Sequence, residues 1–257
     1  MTSAITLPRT PSLRLDGRRA LVTGRGGASA AAAAALAEAG AHVTLAARSA
    51  GEIGAAAEAI RAAGGSADTL QIDAADLPAV TAALAAREPY DILVNNAGTN
   101  RPAPFLEVTE ADFDAVMALN LRACFFLAQA VAKRLVAAGR PGSIIQLSSQ
   151  MGHVGGPRRS VYCASKHAME GMTKAMAIEL GPHRIRVNTL CPTFIETPLT
   201  RPFFEEAAFR DWVLGKIKLG RVGQVEDLMG AVLFLASDAS ALMTGSALMV
   251  DGGWTAE

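Results

Sequence analysis

The chain has 257 residues, a length that suits one large α/β unit of about 250 residues better than two domains. Hydrophobic residues make up 51% and charged residues 19%, so a large buried core is expected and wholesale disorder is excluded. Lys plus Arg (24) balances Asp plus Glu (24), and aromatic residues are only 5%, which argues against nucleic acid or an anionic membrane as partner.

Strand-like and helical stretches alternate along the chain. Residues 1–12 read as a loose tail and 13–257 as one catalytic unit. Arg19–Val22 reads as a strand, and Ser29–Ala39 as a helix closed by Gly40. Val43–Ala47 is a strand, Glu52–Ala63 a helix closed by Gly64-Gly65, Thr69–Ile72 a strand, Pro78–Arg87 a helix and Ile92–Asn95 a strand. A single long helix is predicted over Thr109–Ala138, with Glu110 and Asp112 in its first turn and Gly139 at its end. Then come strand Ser143–Leu147, helix Ser160–Leu180, strand Arg186–Leu190, an irregular or helical Phe203–Gly215, helix Val225–Ala236 and a last strand, Ala247–Val250. Runs such as Ile92-Leu93-Val94 are continuously apolar, as strands buried on both faces are. The fold class is α/β, a doubly wound parallel sheet with helices on both faces.

Cys124, Cys163 and Cys191 lie far apart, and no two of His42, His153, His167 and His183 stand at a helical ligand spacing. No metal site and no disulfide framework is expected, and a reducing, cytoplasmic setting fits. Met1–Arg14 lacks the apolar run of a secretory signal, and the Ala-rich stretch Ala28–Ala41 is too short and too weakly apolar to span a bilayer.

The chemistry-bearing residues fall after the strands. The first strand runs into Thr23-Gly24-Arg25-Gly26-Gly27-Ala28-Ser29, and a glycine turn opening a helix lets backbone N–H groups approach a pyrophosphate. Tight helix packing alone would also explain the glycines. Asp73, after the third strand, can accept from an adenine amino group or simply cap its loop. Asn95-Asn96-Ala97-Gly98, at the end of the fourth, leaves room for a ribose and a nicotinamide. Ser149 follows the fifth strand. Tyr162 and Lys166 stand four residues apart and share a helix face. A phenol is a poor acid–base catalyst at neutral pH unless a nearby cation favours the phenolate, and the lysine ammonium is such a cation.

The set Thr23-Gly24…Gly27, Asn95-Asn96-Ala97-Gly98, Asn120, Ser149, Tyr162-Cys163-Ala164-Ser165-Lys166 and Asp251-Gly252-Gly253 resembles the short-chain dehydrogenase/reductase family, from about Leu15 to Trp254. The resemblance implies a Rossmann-like fold and reversible hydride transfer between a nicotinamide cofactor and a secondary alcohol or ketone. It implies Tyr162 as general acid/base, Lys166 as its tuner and a ribose contact, Ser149 as the holder of the substrate oxygen, and Asn120 as the anchor of a relay water. The implied cofactor contacts are Thr23, Gly24, Arg25, Gly27, Ser29, Arg48, Asp73, Asn95, Ala97, Gly98, Tyr162, Lys166, Pro192, Thr193, Ile195 and Thr197. A rival reading is a non-catalytic dinucleotide-binding sensor or scaffold.

Three departures from the family pattern stand out. The family's glycines match Gly27 and Ser29 if the loop is one residue short, or Ala28 and Ala30 if it is not; the first alignment keeps the helix register. Thr193 of Cys191-Pro192-Thr193 stands where the family usually has glycine, and Gln224 where a proline often precedes the next helix.

Cofactor and substrate choice rest on fewer residues. No carboxylate follows the second strand, where Leu45-Ala46-Ala47-Arg48-Ser49 stands, so Arg48, with Arg25, would offer donors to a 2′-phosphate. The expected cofactor is NADP, with NAD as the alternative if Arg48 is merely a solvated cation. The small-molecule substrate is expected against Ser149, Gln150, His153, Tyr162, Arg101 and Trp212. Arg101 would pair with a carboxylate or sit in a loop salt bridge. Arg101 and Phe209-Arg210-Asp211-Trp212 look similar to the gluconate 5-dehydrogenase branch, so a sugar acid or polyol is the expected substrate and a 3-oxoacyl-type ketone the alternative. Apolar Phe125, Phe126, Leu127, Val131 and Leu135, with Met169, Met172 and Met176, leave more helix surface than one core needs. With the resemblance, that implies a homotetramer, or a dimer if a second interface through Met249–Trp254 is lacking.

Overall fold

A computed structural model describes residues 7–198 and 200–257. Seven strands form one parallel sheet: β1 (Arg19–Thr23), β2 (His42–Ala47), β3 (Ser66–Gln71), β4 (Ile92–Asn95), β5 (Gly142–Leu147), β6 (Ile185–Pro192) and β7 (Ala247–Val250). Their order is β3-β2-β1-β4-β5-β6-β7. The chain runs outward from β1 to β3, then returns to the other side of β1 with β4. That reversal opens a crevice at the carboxyl ends of β1 and β4, which pair from Ala20↔Ile92 to Thr23↔Asn95.

The described residues form eight α-helices: α1 (Gly27–Glu38), α2 (Ala50–Ala62), α3 (Leu77–Ala85), α4 (Glu110–Met117), α5 (Cys124–Ala137), α6 (Ser160–Leu180), α7 (Ala207–Lys216) and α8 (Glu226–Ala236), of which α7 packs in a small core apart from the sheet. On one face Leu36, Ile53, Ile60, Val232 and Leu235 pack against Val22, Val43, Val94 and Ile145. On the other, Val80, Leu84, Leu127, Val131 and Leu135 pack against Leu21, Leu93, Ile144 and Val187. Adjacent strand residues such as Leu21 and Val22 thus serve opposite cores, which is why these strands show no polar alternation.

The elements match the predicted ones with three differences. β3 begins at Ser66, three residues before its predicted start, because an edge strand carries polar residues such as Asp68, here paired with Arg87 at 2.9 Å. The predicted single helix over Thr109–Ala138 is α4 and α5 joined by a π-helical segment, Ala118–Ala123. The irregular or helical Phe203–Gly215 resolves into a 3-10 turn, Arg201–Glu205, and α7. Of the predicted tail, residues 1–6 lie outside the described ones, and 7–12 is exposed chain without regular structure.

Among the described residues, Glu110–Ala137 is long and apolar enough to cross a membrane by length and composition. Here its Leu127, Val131 and Leu135 belong to the sheet's own core.

Candidate active site

A cleft of about 1210 Å³ runs along the carboxyl ends of the strands. Its size exceeds the roughly 300–1,000 Å³ of a drug-sized ligand site and suits a dinucleotide with a second small molecule.

Backbone builds one end. Gly24 has φ +96° and Gly26 φ +86°, the left-handed region where a side chain is strained. A Cβ on Gly24 would stand 3.0 Å from the Asn96 carbonyl oxygen, and one on Gly27 3.2 Å from Val225 Cγ1. The glycines therefore let β1, the β4 loop and α8 close together beneath α1. That helix starts at Gly27 with no side-chain cap and no acid in its first turn, so its first N–H groups face the cleft without a protein acceptor. Such an end is built for an anion. Ser29 is locked in place: its hydroxyl donates to the Thr23 carbonyl at 3.3 Å and accepts from Asn96 Nδ2 at 2.6 Å. Ser29 thus fastens the turn between β1 and the loop after β4.

Thr23 Oγ1 donates to Asn95 Oδ1 at 3.2 Å and accepts from the Asn96 N–H at 3.2 Å. Asn95 itself is 1% exposed, donates to the Cys124 carbonyl at 2.9 Å and does not line the cleft. Its expected cofactor contact is corrected to a buried tie between β1, β4 and α5. The other expected cofactor residues all line the cleft. Arg48 stretches into solvent at the far end, 3.9 Å from Asp73, and Arg25 stands 3.4 Å from Glu52. Ser49, which caps α2 by accepting from the Glu52 N–H, also lines this end. Gly26, Ser49 and Asn96 were not assigned as contacts from the sequence; the Gly-Gly pair and the Ser-x-x-Glu cap were the available signals.

Side chains build the other end. Lys166 is 5% exposed, and its ammonium donates to the Leu147 carbonyl at 2.6 Å and lies 5.6 Å from the centre of the Tyr162 ring. Ser149 donates to Gln150 Oε1 at 2.8 Å and accepts from the Met151 N–H at 3.1 Å. Leu147, Ser149, Gln150, Met151, Tyr162 and Lys166 all line the cleft. Asn120 is fully buried in the π segment. Its amide accepts from the Thr99 N–H at 2.7 Å and donates to the Thr99 carbonyl at 2.9 Å and to Ser165 Oγ at 3.1 Å. A π turn with such a residue is a common mark of a functional site. Thr193, on the cleft wall, has a buried hydroxyl with no partner among the described residues.

Three expected substrate contacts lie elsewhere. Arg101 pairs with Asp112 at 2.6 Å, outside the cleft lining. Trp212 packs with Phe194, Phe209 and Trp254 in a small core of its own. His153 turns to Glu170 and Cys191, each 3.5 Å away. Those three side chains bring one ligand atom each within 4.8 Å of one another. Burial pushes the Cys191 thiol up to about 12, so it acts as a hydrogen-bond donor, 3.4 Å from Glu170 Oε1. Gln224 has a role that a proline could not fill: its backbone N–H donates to Asp227 Oδ2 at 2.7 Å.

The comparisons with known proteins agree with this geometry. The profile of a family described as enoyl-(acyl carrier protein) reductase matches residues 23–255. The chain belongs to the short-chain dehydrogenase/reductase family. It is 42% identical over 245 residues to L-xylulose reductase of Bos taurus, covering 95% of this chain and 99% of the relative. It is 40% identical over 246 residues to gluconate 5-dehydrogenase of Gluconobacter oxydans, covering 94% and 96%. A solved gluconate 5-dehydrogenase of Burkholderia cenocepacia, in complex with NADP and tartrate, superposes with a TM-score of 0.90 at 40% identity, covering 95% and 98%.

Proposed function

We propose that this family member is an NADP(H)-dependent oxidoreductase that interconverts a secondary alcohol and a ketone on a sugar acid or polyol. The observation that carries it is the pair on α6: the buried Lys166 ammonium beside the Tyr162 ring, on the wall that also holds the Ser149 hydroxyl. The relatives' names, reductases and dehydrogenases of sugars and sugar acids, support the substrate class.

The site fits a dinucleotide on its own features, a glycine turn that a Cβ would fill and uncapped N–H groups at α1. Bound there, NADP(H) supplies or takes the hydride. Arg48 and Arg25 would hold the 2′-phosphate, Asp73 the adenine side, and Ala97, Gly98, Pro192, Thr193, Ile195 and Thr197 the nicotinamide end. Ser149 and Gln150 would hold the substrate oxygen, and Tyr162 would pass the proton to or from it. Lys166, fixed by the Leu147 carbonyl, would hold its positive charge beside that proton transfer. The Asn120 side chain is spent on Thr99 and Ser165, so a relay water would rest on its backbone carbonyl.

The catalytic unit spans 13–257. It works in the cytoplasm, consistent with three unbridged cysteines. It assembles as a homotetramer; of the apolar residues expected to be left over, Leu127, Val131, Leu135 and Met169 are buried within the chain itself, so the interface would use Phe125 and Phe126 with the exposed Phe113, Val136 and Ile178.

The test is NADP+ and NAD+ reduction against a panel of polyols, aldonates and hydroxy esters. Turnover of a polyol or aldonate with NADP+ preferred is expected. No turnover with either cofactor would overturn the reading.

A further inference from the structure

Of the two readings of Arg101, a substrate carboxylate or a loop salt bridge, the structure has the second: it is committed to Asp112. A different arginine occupies the cleft. Arg159 stands immediately before α6, three residues ahead of Tyr162, and lines the same wall as Tyr162, Ser149 and Gln150. Its guanidinium lies over the Phe194 ring, 5.6 Å from the centre. Phe194 in turn is wedged edge-on against Phe204 and Phe209, so the platform under the guanidinium is rigid.

No ion pair or side-chain hydrogen bond among the described residues engages that guanidinium, and the charged or ionisable neighbours it feels are Arg158, Tyr162 and Cys163, with no carboxylate among them. Burial lowers its pKa, the opposite of what a carboxylate partner would do. An arginine stays charged regardless. No Arg159 nitrogen is among the buried polar atoms that lack a partner, so solvent reaches the guanidinium and its donors are available to a ligand entering the cleft. The start of α6 adds to this. It carries no acid in its first turn and no side-chain cap, so its partial positive charge falls on the same spot. The preceding residue is held as well: Arg158 has φ +59° and its carbonyl accepts from the Ala103 N–H at 3.2 Å.

We infer that Arg159 is the specificity-determining residue of this site, gripping a carboxylate of the substrate while Ser149 and Tyr162 meet its reacting oxygen. This rests on the oxidoreductase reading above and narrows it: the preferred substrates are hydroxy acids of the aldonate kind and their keto acids, ahead of neutral polyols. A guanidinium fork matches the two oxygens of a carboxylate, and stacking on Phe194 leaves its donor edge available.

Matched pairs test it, such as D-gluconate against D-glucitol, which differ by a carboxylate at one end. With NADP+, the wild-type protein is expected to prefer the acid. Arg159→Gln should raise the KM for the acid by about 10- to 150-fold, the worth of a charge-assisted hydrogen bond, and leave that of the alditol unchanged. Arg159→Lys should restore part of the loss. NADP+ binding, followed by fluorescence, should be the same in all three. On wild-type protein alone, malonate should compete with the acid substrate and malonamide should not, which holds the inference to account if the variants fail to fold. Equal losses on acid and alditol, or a wild-type preference for the alditol, would overturn the role of Arg159 while polyol turnover left the oxidoreductase reading intact.

Discussion

The two ends of the cleft are made by different means. At the β1–α1 end the working parts are backbone: two glycines at positive φ, uncapped N–H groups and a threonine that ties neighbouring strands. At the β5–β6 end they are side chains whose positions depend on distant partners, Lys166 on Leu147, Ser149 on Gln150, Arg159 on Phe194. A backbone cradle accepts any ligand with the right phosphates, so one such end serves many substrates. The side-chain end is where one substrate is told from another.

Tyr162→Phe should break that division most sharply. It removes the proton carrier and leaves the cradle, so kcat should fall by roughly 10²–10⁴-fold while NADP+ affinity, measured by fluorescence titration, holds. Arg48→Ala is the converse. Losing a charge-assisted contact costs about 1.5–3 kcal/mol, so the NADP+ KM should rise about 10- to 150-fold, with NAD+ and kcat hardly touched. Equal changes for both cofactors would remove Arg48 from the 2′-phosphate. Gly24→Ala probes the backbone itself. Positive φ costs an alanine about 1–2 kcal/mol, and its Cβ would crowd the Asn96 carbonyl at 3.0 Å, so both thermal stability and NADP+ affinity should drop.

The smallest effect concerns the clasp at the start of α8. Arg221 donates to both oxygens of Asp227 at 2.6 and 2.7 Å, and with the Gln224 N–H holds that carboxyl down at about 2, against an ordinary 3.8. A lowered carboxyl contributes stability above its unfolded pKa and loses it as pH falls toward its folded one. Melting temperatures should therefore decline between about pH 4 and 2 in part through Asp227, and Asp227→Asn should flatten that limb. The pair is largely exposed and screened by solvent, so the contribution should be small.

The strands, most helices and the proton-transfer set were legible because each rests on a local pattern: apolar runs, caps, and Tyr-x-x-x-Lys spacing on one face. What was not legible depends on who else arrives at the same place. Arg101 reads equally as a substrate cation or a loop salt bridge until Asp112 is seen to reach it, and Trp212 as a substrate contact until Trp254, 42 residues later in the numbering, packs on it at 5.3 Å. Asn95 looks like its neighbour Asn96, but strand alternation sends it inward. The π segment hides in Ala118–Ala123 because its composition is that of an ordinary helix.

Asn120 also sets where the loop after β4 can move. Its amide grips both the N–H and the carbonyl of Thr99 and joins them to Ser165 on α6. Thr99 is therefore a fixed point of the loop. The stretch beyond it, Asn100 to Pro104, is tied at two further points, Arg101 to Asp112 and the Ala103 N–H to the Arg158 carbonyl. In amide exchange the Thr99 and Ala103 protons should be retained longer than those of Asn100 and Arg101 between them, two slow sites that fasten the loop to α6 and to its approach.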